Sequence, residues 1–182
     1  TGWAGQVSLG QAGIAGIGAA VAGGLAARAH ADFFVTLIVA AIVGAVIAAL
    51  IGIPALRLPG RVLVIVTRAF AAEVKLVLLD PRYFGWLLPK DGQTIDRPIL
   101  FGRFDMTGDR AFYYLSRFFL LLFLVSAIKL RASRSGRVFV AQRDNLRAAQ
   151  ALGVNAARTK LAAFALSGAI AAVGGGLLAY KV

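Results

Sequence analysis

The sequence predicts an all-α fold: a polytopic transmembrane helical bundle of about five spans, with a surface helix between the last two. Three observations carry this. Hydrophobic residues make up 59% of the 182, in a count that omits the 21 glycines; globular chains reach about 45–50% with glycine included. Mean hydropathy is +0.79. Charged residues are only 15% and gather in a few connections. The apolar stretches between them approach the roughly 20 residues that a bilayer-crossing helix needs.

Five stretches carry the prediction. The first, Gly10 to Ala27, is rich in Gly and Ala, and the second, Phe33 to Ile53, holds no charge. The third, Val62 to Leu79, is interrupted by Arg68, Glu73 and Lys75. A central Arg costs roughly 2.5–3.5 kcal/mol on insertion, while each Leu, Ile or Val returns about 0.3–0.6. Arg68 is therefore expected to face protein or water. Glu73 falls about 140° from Arg68 on an ideal helix, too far for an intrahelical pair. A broken or re-entrant helix lining a cavity is the other way to accommodate this stretch. The fourth, Phe112 to Leu130, is rich in Phe and Leu with Arg117 inside it; the fifth, Leu161 to Tyr180, is again small-residue-rich.

Charge orients the connections. Residues 132–160 carry Arg134, Arg137, Arg143, Arg147, Arg158 and Lys160 against the single Asp144, and Lys129 and Arg131 precede them. By the positive-inside rule this loop is cytoplasmic. The loop from Asp80 to Arg110 mixes both signs and reads as external. Counting back places the Pro54–Arg61 turn inside, the Arg28–Asp32 turn outside and the start of the chain inside. Trp86, Tyr113 and Tyr114 fit interfacial anchors. The chain opens at Thr1 with no signal-peptide pattern and closes on an apolar run, so a piece of a longer protein is expected.

Several function classes are disfavoured. The net charge of +12 comes from loops flanking spans, so nucleic acid is not the expected partner; membrane lipid is. Without cysteine there is no disulfide framework, and His30 stands alone, so no metal site is expected. The aspartates of the external loop each have a basic neighbour in sequence and read as a solvated, charge-balanced surface. An integral membrane enzyme would need a nucleophile or paired acids, yet Glu73 is the lone acid well inside a span. An ion-coupled transporter would place Asp or Glu at midplane sites.

Two segments invite a role. In GQVSLGQAGIAGIGAA, small residues recur as Gly10, Gly13, Gly16 or Ile17, and Ala20, a spacing that lets helix backbones approach in lipid. Gln6, Ser8 and Gln11 add polar groups near a helix start, where free backbone N–H groups suit a carboxylate. With Thr67 on the third stretch they form a candidate substrate path. A phosphate-binding loop is disfavoured, because no P-loop lysine is present. In the basic segment, Val140 to Leu152 has helical composition and Gly153 is placed as its stop. Arg143 and Arg147, four apart, would share a face. Such a helix suits either a cytoplasmic partner or anionic lipid.

These residues resemble a family, the LivM-like permease subunits of branched-chain amino-acid ABC importers. The resemblance rests on GWAGQVSLGQAGIAGIGA, IPALRLPGRVLVIVTRAFA, FGRFDMTGDRAFYYL and the long segment from SRSGRVFVAQRDNLRAAQALGVNAARTK to GGGLLA, together most of the chain and in the family's order. It implies that 1–182 is part of one transmembrane permease domain of the inner membrane. Residues 131–160 would be its cytoplasmic coupling loop, docking on an ATP-hydrolysing subunit. Ala148, Ala149 and Gly153 match the loop's small-residue positions, Leu152 lies beside them, and Arg143, Asp144 and Asn145 match the preceding turn. Implied partners are ABC ATPase subunits, a second homologous permease and a periplasmic or lipid-anchored substrate-binding protein. ATP would be bound by the ATPases, leaving this chain without a cofactor or catalysis. Branched-chain amino acids lead as substrate, with urea or short amides as the related alternative. The sequence departs from the pattern at Leu146 and Gln150, where acids are usual, at Gly60–Arg61–Val62, and at Arg68.

Overall fold

The computed structural model describes residues 10–29, 31–55, 60–74, 99–100, 104–105 and 108–181. In chain order the helices are α1 (Gln11–Ala29), α2 (Phe33–Ala55), α3 (Gly60–Glu73), α4 (Asp109–Ala132), α5 (Arg134–Asp144), α6 (Leu146–Ala151) and α7 (Ala156–Ala179). Between α3 and α4, β1 (Ile99–Leu100) and β2 (Phe104–Asp105) form a two-residue antiparallel ladder, pairing Ile99 with Asp105 and Leu100 with Phe104. The protein is a helical membrane bundle, as the sequence predicts.

Among the described residues, three of the five expected spans, Phe33–Pro54, Asp109–Ala132 and Ala156–Ala179, form helices long and apolar enough to cross a bilayer. Helix α1 has 19 residues, with Arg28 in its last turn. Helix α3 is described over 14 residues, and residues 75–79 of the expected span lie outside the described residues. Arg68 and Glu73 are both exposed on it.

The five long helices nonetheless alternate in direction, as the charge pattern implies. Ile14 of α1 clusters with Ala48 of α2 and Ala172 of α7, while Val21 meets Ala40 nearer the α1–α2 turn, so α1 and α2 are antiparallel. Gly44 and Gly52 of α2 face Gly168 and Phe164 of α7 in reversed order. Gly10 and Gly13 meet Thr67 and Ala71, so α3 runs parallel to α1. Helix α4 starts beside Phe33 and Tyr180 and ends beside Ala163.

Helices α1, α2 and α7 form the tightest part of the bundle. Lipid tails are as apolar as leucine, so helices in a bilayer associate through close packing, not through escape from water. Small residues allow it here. A Cβ on Gly18 would collide with the Ala172 backbone, one on Gly175 with the Ala15 carbonyl, and one on Gly168 with Ala48 and the Gly44 carbonyl. The sequence suggested one small-residue face on α1. The structure divides it: Gly10 and Gly13 serve α3, while Ala15, Gly18 and Ala22 serve α7.

Helix α4 joins through an aromatic stripe. Phe112, Leu115, Phe119 and Phe123 recur at helical spacing and pack on Phe33, Leu37, Val173 and Tyr180. Its other side, including Phe118, Leu121, Leu124, Val125 and Ile128, is exposed. Arg117 is exposed too, and its Nη1 donates to the Tyr113 hydroxyl one turn nearer the helix start, at 3.4 Å. That is the direction in which a long cationic side chain reaches the interface.

The α2–α7 contact ends in a buried polar pair. The Thr36 hydroxyl donates to the Phe33 carbonyl at 2.8 Å, leaving the Tyr180 hydroxyl to donate to Thr36, also at 2.8 Å. Thr36→Val keeps the shape but strands the Tyr180 hydroxyl. It is expected to lower stability by about 1–2 kcal/mol. Adding Tyr180→Phe should recover much of that loss, which unfolding in detergent across the double-mutant cycle measures.

Candidate functional site

The connection between α4 and α7 is built around a corner. At Ser133 the backbone is extended, and its hydroxyl donates to the Leu130 carbonyl at 2.6 Å while accepting from the Gly136 amide at 3.2 Å. Ser133 thus closes α4 and caps α5. Gly136 is pressed onto the end of α4, where a Cβ would collide with the Leu130 and Arg131 carbonyls. Phe139 then buries against Leu130 and Ala163, seating α5 on the first turns of α7.

The sequence predicts one helix from Val140 to Leu152, and the structure breaks it. Asn145 is extended, with φ −149° and ψ 97°, and its Oδ1 accepts from the Ala148 amide at 3.0 Å. An Asn that caps the next helix competes with continuation of the previous one. Arg143 and Arg147 therefore lie on separate helices, α5 and α6, and do not share a face through i,i+4 spacing. Helix α6 ends at Gly153, whose φ of +84° is the left-handed conformation that glycine adopts without a Cβ penalty. The Gly153 and Val154 amides donate to the Gln150 and Ala149 carbonyls at 2.9 and 3.0 Å. Asn155 then caps α7 through the Arg158 amide at 3.1 Å.

This scaffold presents a definite surface. Arg143, Asp144, Asn145, Leu146, Arg147, Ala148 and Gly153 are exposed, and Leu152 stands out at 86% exposure beside the left-handed turn. Of the sequence-derived coupling residues, Ala149 alone is buried, at 3%, so it holds α6 in place and cannot itself touch a partner. Chemically this is a cationic platform with two exposed leucines, of which Leu152 protrudes far more than Leu146.

Sequence reasoning missed Gln142, which is 4% exposed and donates through Nε2 to the Ala156 carbonyl at 3.2 Å. A glutamine among arginines reads as surface, and only tertiary structure reveals its burial. Gly136 was also missed, although a lone glycine just after a helix end, in SRSGR, is a turn signal.

The second candidate site lies where α1 begins. Gln6 and Ser8 fall outside the described residues. Thr67 is 1% exposed and packs on Gly10, with Phe70 alongside. Gln11 is half-buried, and both polar atoms of its amide are covered without a hydrogen-bond partner. The structure thus brings the Gln11 segment and Thr67 together on facing helices. This site lies towards the α7 start: Ile14 is level with Ala48, and Gly52 of α2 already reaches Phe164.

Comparison with known proteins agrees with this architecture. A family model described as "Branched-chain amino acid transport system / permease component" matches residues 1–182. The chain is 30% identical over 202 aligned residues to the high-affinity branched-chain amino acid transport system permease protein LivM of Salmonella typhimurium strain LT2. Identity is also 30% to the protein of that name in Escherichia coli K12. Each alignment covers 99% of this chain and 47% of the relative, so the chain spans about half the length of these curated relatives. No solved structure matches it.

Proposed function

The chain belongs to the permease-component family of branched-chain amino acid transport systems, and from that premise we propose that it forms part of an ATP-driven importer of branched-chain amino acids in the inner membrane. Its α5–α6 connector is the cytoplasmic docking surface for an ATPase subunit. ATP is bound and hydrolysed on that partner, and a second permease and an external substrate-binding protein complete the path. The protein's own work is to be stabilised differently in two access states by what docks on it.

The observation that carries this reading is Leu152. An 86%-exposed leucine next to a left-handed glycine, in a connector that also exposes Arg143, Arg147 and Arg158, costs solubility unless something covers it. A shallow, partly acidic groove on a partner would receive both the leucine and the charges. The candidate substrate path near the α1 start keeps the Gln11 amide, whose polar atoms lack a hydrogen-bond partner, as the group for the polar end of an amino acid.

Co-purification tests the proposal. The full-length protein should bring down an ATPase, and Leu152→Glu should reduce that recovery at least tenfold while leaving the spans folded. Gly153→Asp should do likewise, since Asp tolerates positive φ better than most side chains. Ser135→Cys, at an exposed position, should react with impermeant reagent only from the cytoplasmic side. Transport by the full-length protein with no ATPase bound, or labelling of Ser135→Cys from outside, would overturn the assignment.

A further inference from the structure

Among the described hydrogen bonds, Gln142 is the one side chain of α5–α6 that reaches α7. It lies on the last turn of α5, just before the break at Asn145, and its acceptor is the backbone of the first residue of α7. Its Oε1 is buried and has no partner. The nearby packing of Phe139 on Ala163 and Leu130 is apolar.

A half-satisfied buried amide is a poor stability device. An apolar side chain of the same length would fill the space with no orphaned oxygen and would be near neutral or stabilising for the fold. The amide supplies direction instead. Phe139 against Ala163 gives α5 a greasy seat on which it can slide, whereas the Gln142–Ala156 hydrogen bond fixes where along α7 the connector sits. It joins the connector to the end of α7, where a small displacement produces the largest tilt of the helix.

We infer that Gln142 is a positioning residue that locks α5–α6 to the base of α7, so that a push on the connector is delivered to α7 as a tilt. This rests on the docking role proposed above and adds a residue that does not touch the ATPase. The α1–α2–α7 packing continues the path: α7 is held to α1 and α2 at backbone contact through Gly18, Gly44, Gly168 and Gly175, so its tilt carries both neighbours with it.

Gln142→Met in the full-length permease, assembled with its ATPases in lipid nanodiscs or proteoliposomes, separates the roles. Expected are unchanged ATPase co-purification, an unchanged or raised unfolding temperature, and at least a fivefold fall in substrate moved per ATP hydrolysed. Gln142→Glu, which loses the donor, should show the same uncoupling. An unchanged transport-to-hydrolysis ratio would overturn the inference, and so would a parallel loss of both activities with a lowered unfolding temperature, the mark of a purely structural role. A second measurement needs no substitution at Gln142. Spin labels on exposed Ala141→Cys and Ala162→Cys should keep one separation with and without ATP, because connector and α7 move together. A change of several ångströms would sink the proposal. Absence of any ATPase from the wild-type complex would instead count against the docking role itself.

Discussion

Gly18→Val and Gly175→Val are each expected to destroy the folded bundle, with stability losses of about 3 kcal/mol or more and little monodisperse protein after extraction. Overpacking of a core usually costs about 1–3 kcal/mol because side chains can shift. Here they cannot. The atoms in the way are backbone: the Ala172 carbonyl and Cα opposite Gly18, and the Ala15 carbonyl opposite Gly175. The only relief is separation of α1 from α7, and dispersion falls steeply once atoms leave contact. Trimming the partner residue gives no rescue, since the clash is not with its side chain. Gly174 is the control. It is exposed, and a Cβ there meets nothing within 4 Å. Gly174→Ala should be neutral or stabilising by about 0.5–1 kcal/mol, the ordinary helical gain over glycine. Size-exclusion profiles and thermal unfolding of the three variants decide the matter; a folded Gly175→Val would mean that α1 and α7 are not packed as described.

Gly136→Val should leave that bundle standing and disable the connector. Its Cβ would strike two carbonyls at the end of α4, and the Ser133 caps hold the corner closed around it. Opening the corner swings α5 away and lifts Phe139 from Ala163. Expected are an unfolding transition within about 1 kcal/mol of wild type for the spans and at least a tenfold loss of ATPase recovered with the protein. Gly153→Ala makes the comparison, because its added Cβ meets nothing within 4 Å and only the φ of +84° is strained. It should cost about 1–2 kcal/mol locally and weaken the partner complex far less than Gly136→Val. Equal effects would show that the corner has no special role.

The bundle was legible because bilayer physics writes itself into sequence. An uncharged run such as Phe33 to Ile53 has one sensible solvent, and clustered arginines set direction, so even the alternation of the helices could be read. The connector was legible as a surface element with a stop at Gly153. Its break at Asn145 was not. Asn is tolerated inside helices, and only the cap to the Ala148 amide distinguishes a break from a continuation. The division of the α1 glycines between two partners was hidden as well, since spacing shows that a helix can be approached closely but not by what. Gln142 was opaque for a third reason: burial of a polar residue depends on what folds over it, here α7, which follows later in the chain. At the α1 start, the sequence marked Gln11 and Thr67 as polar groups in apolar surroundings, and the structure sets their helices side by side.

The glycine-lined contact among α1, α2 and α7 has one more consequence. Residues without rotamers leave almost no side-chain freedom to be lost when the three helices meet, and equally no slack by which they could slide. A joint of that kind has no half-open setting. In the importer proposed above, the change between inward and outward access pivots around this trio as around a single stave of a barrel, leaving the seams on its outside, towards α3 and α4, to open and close.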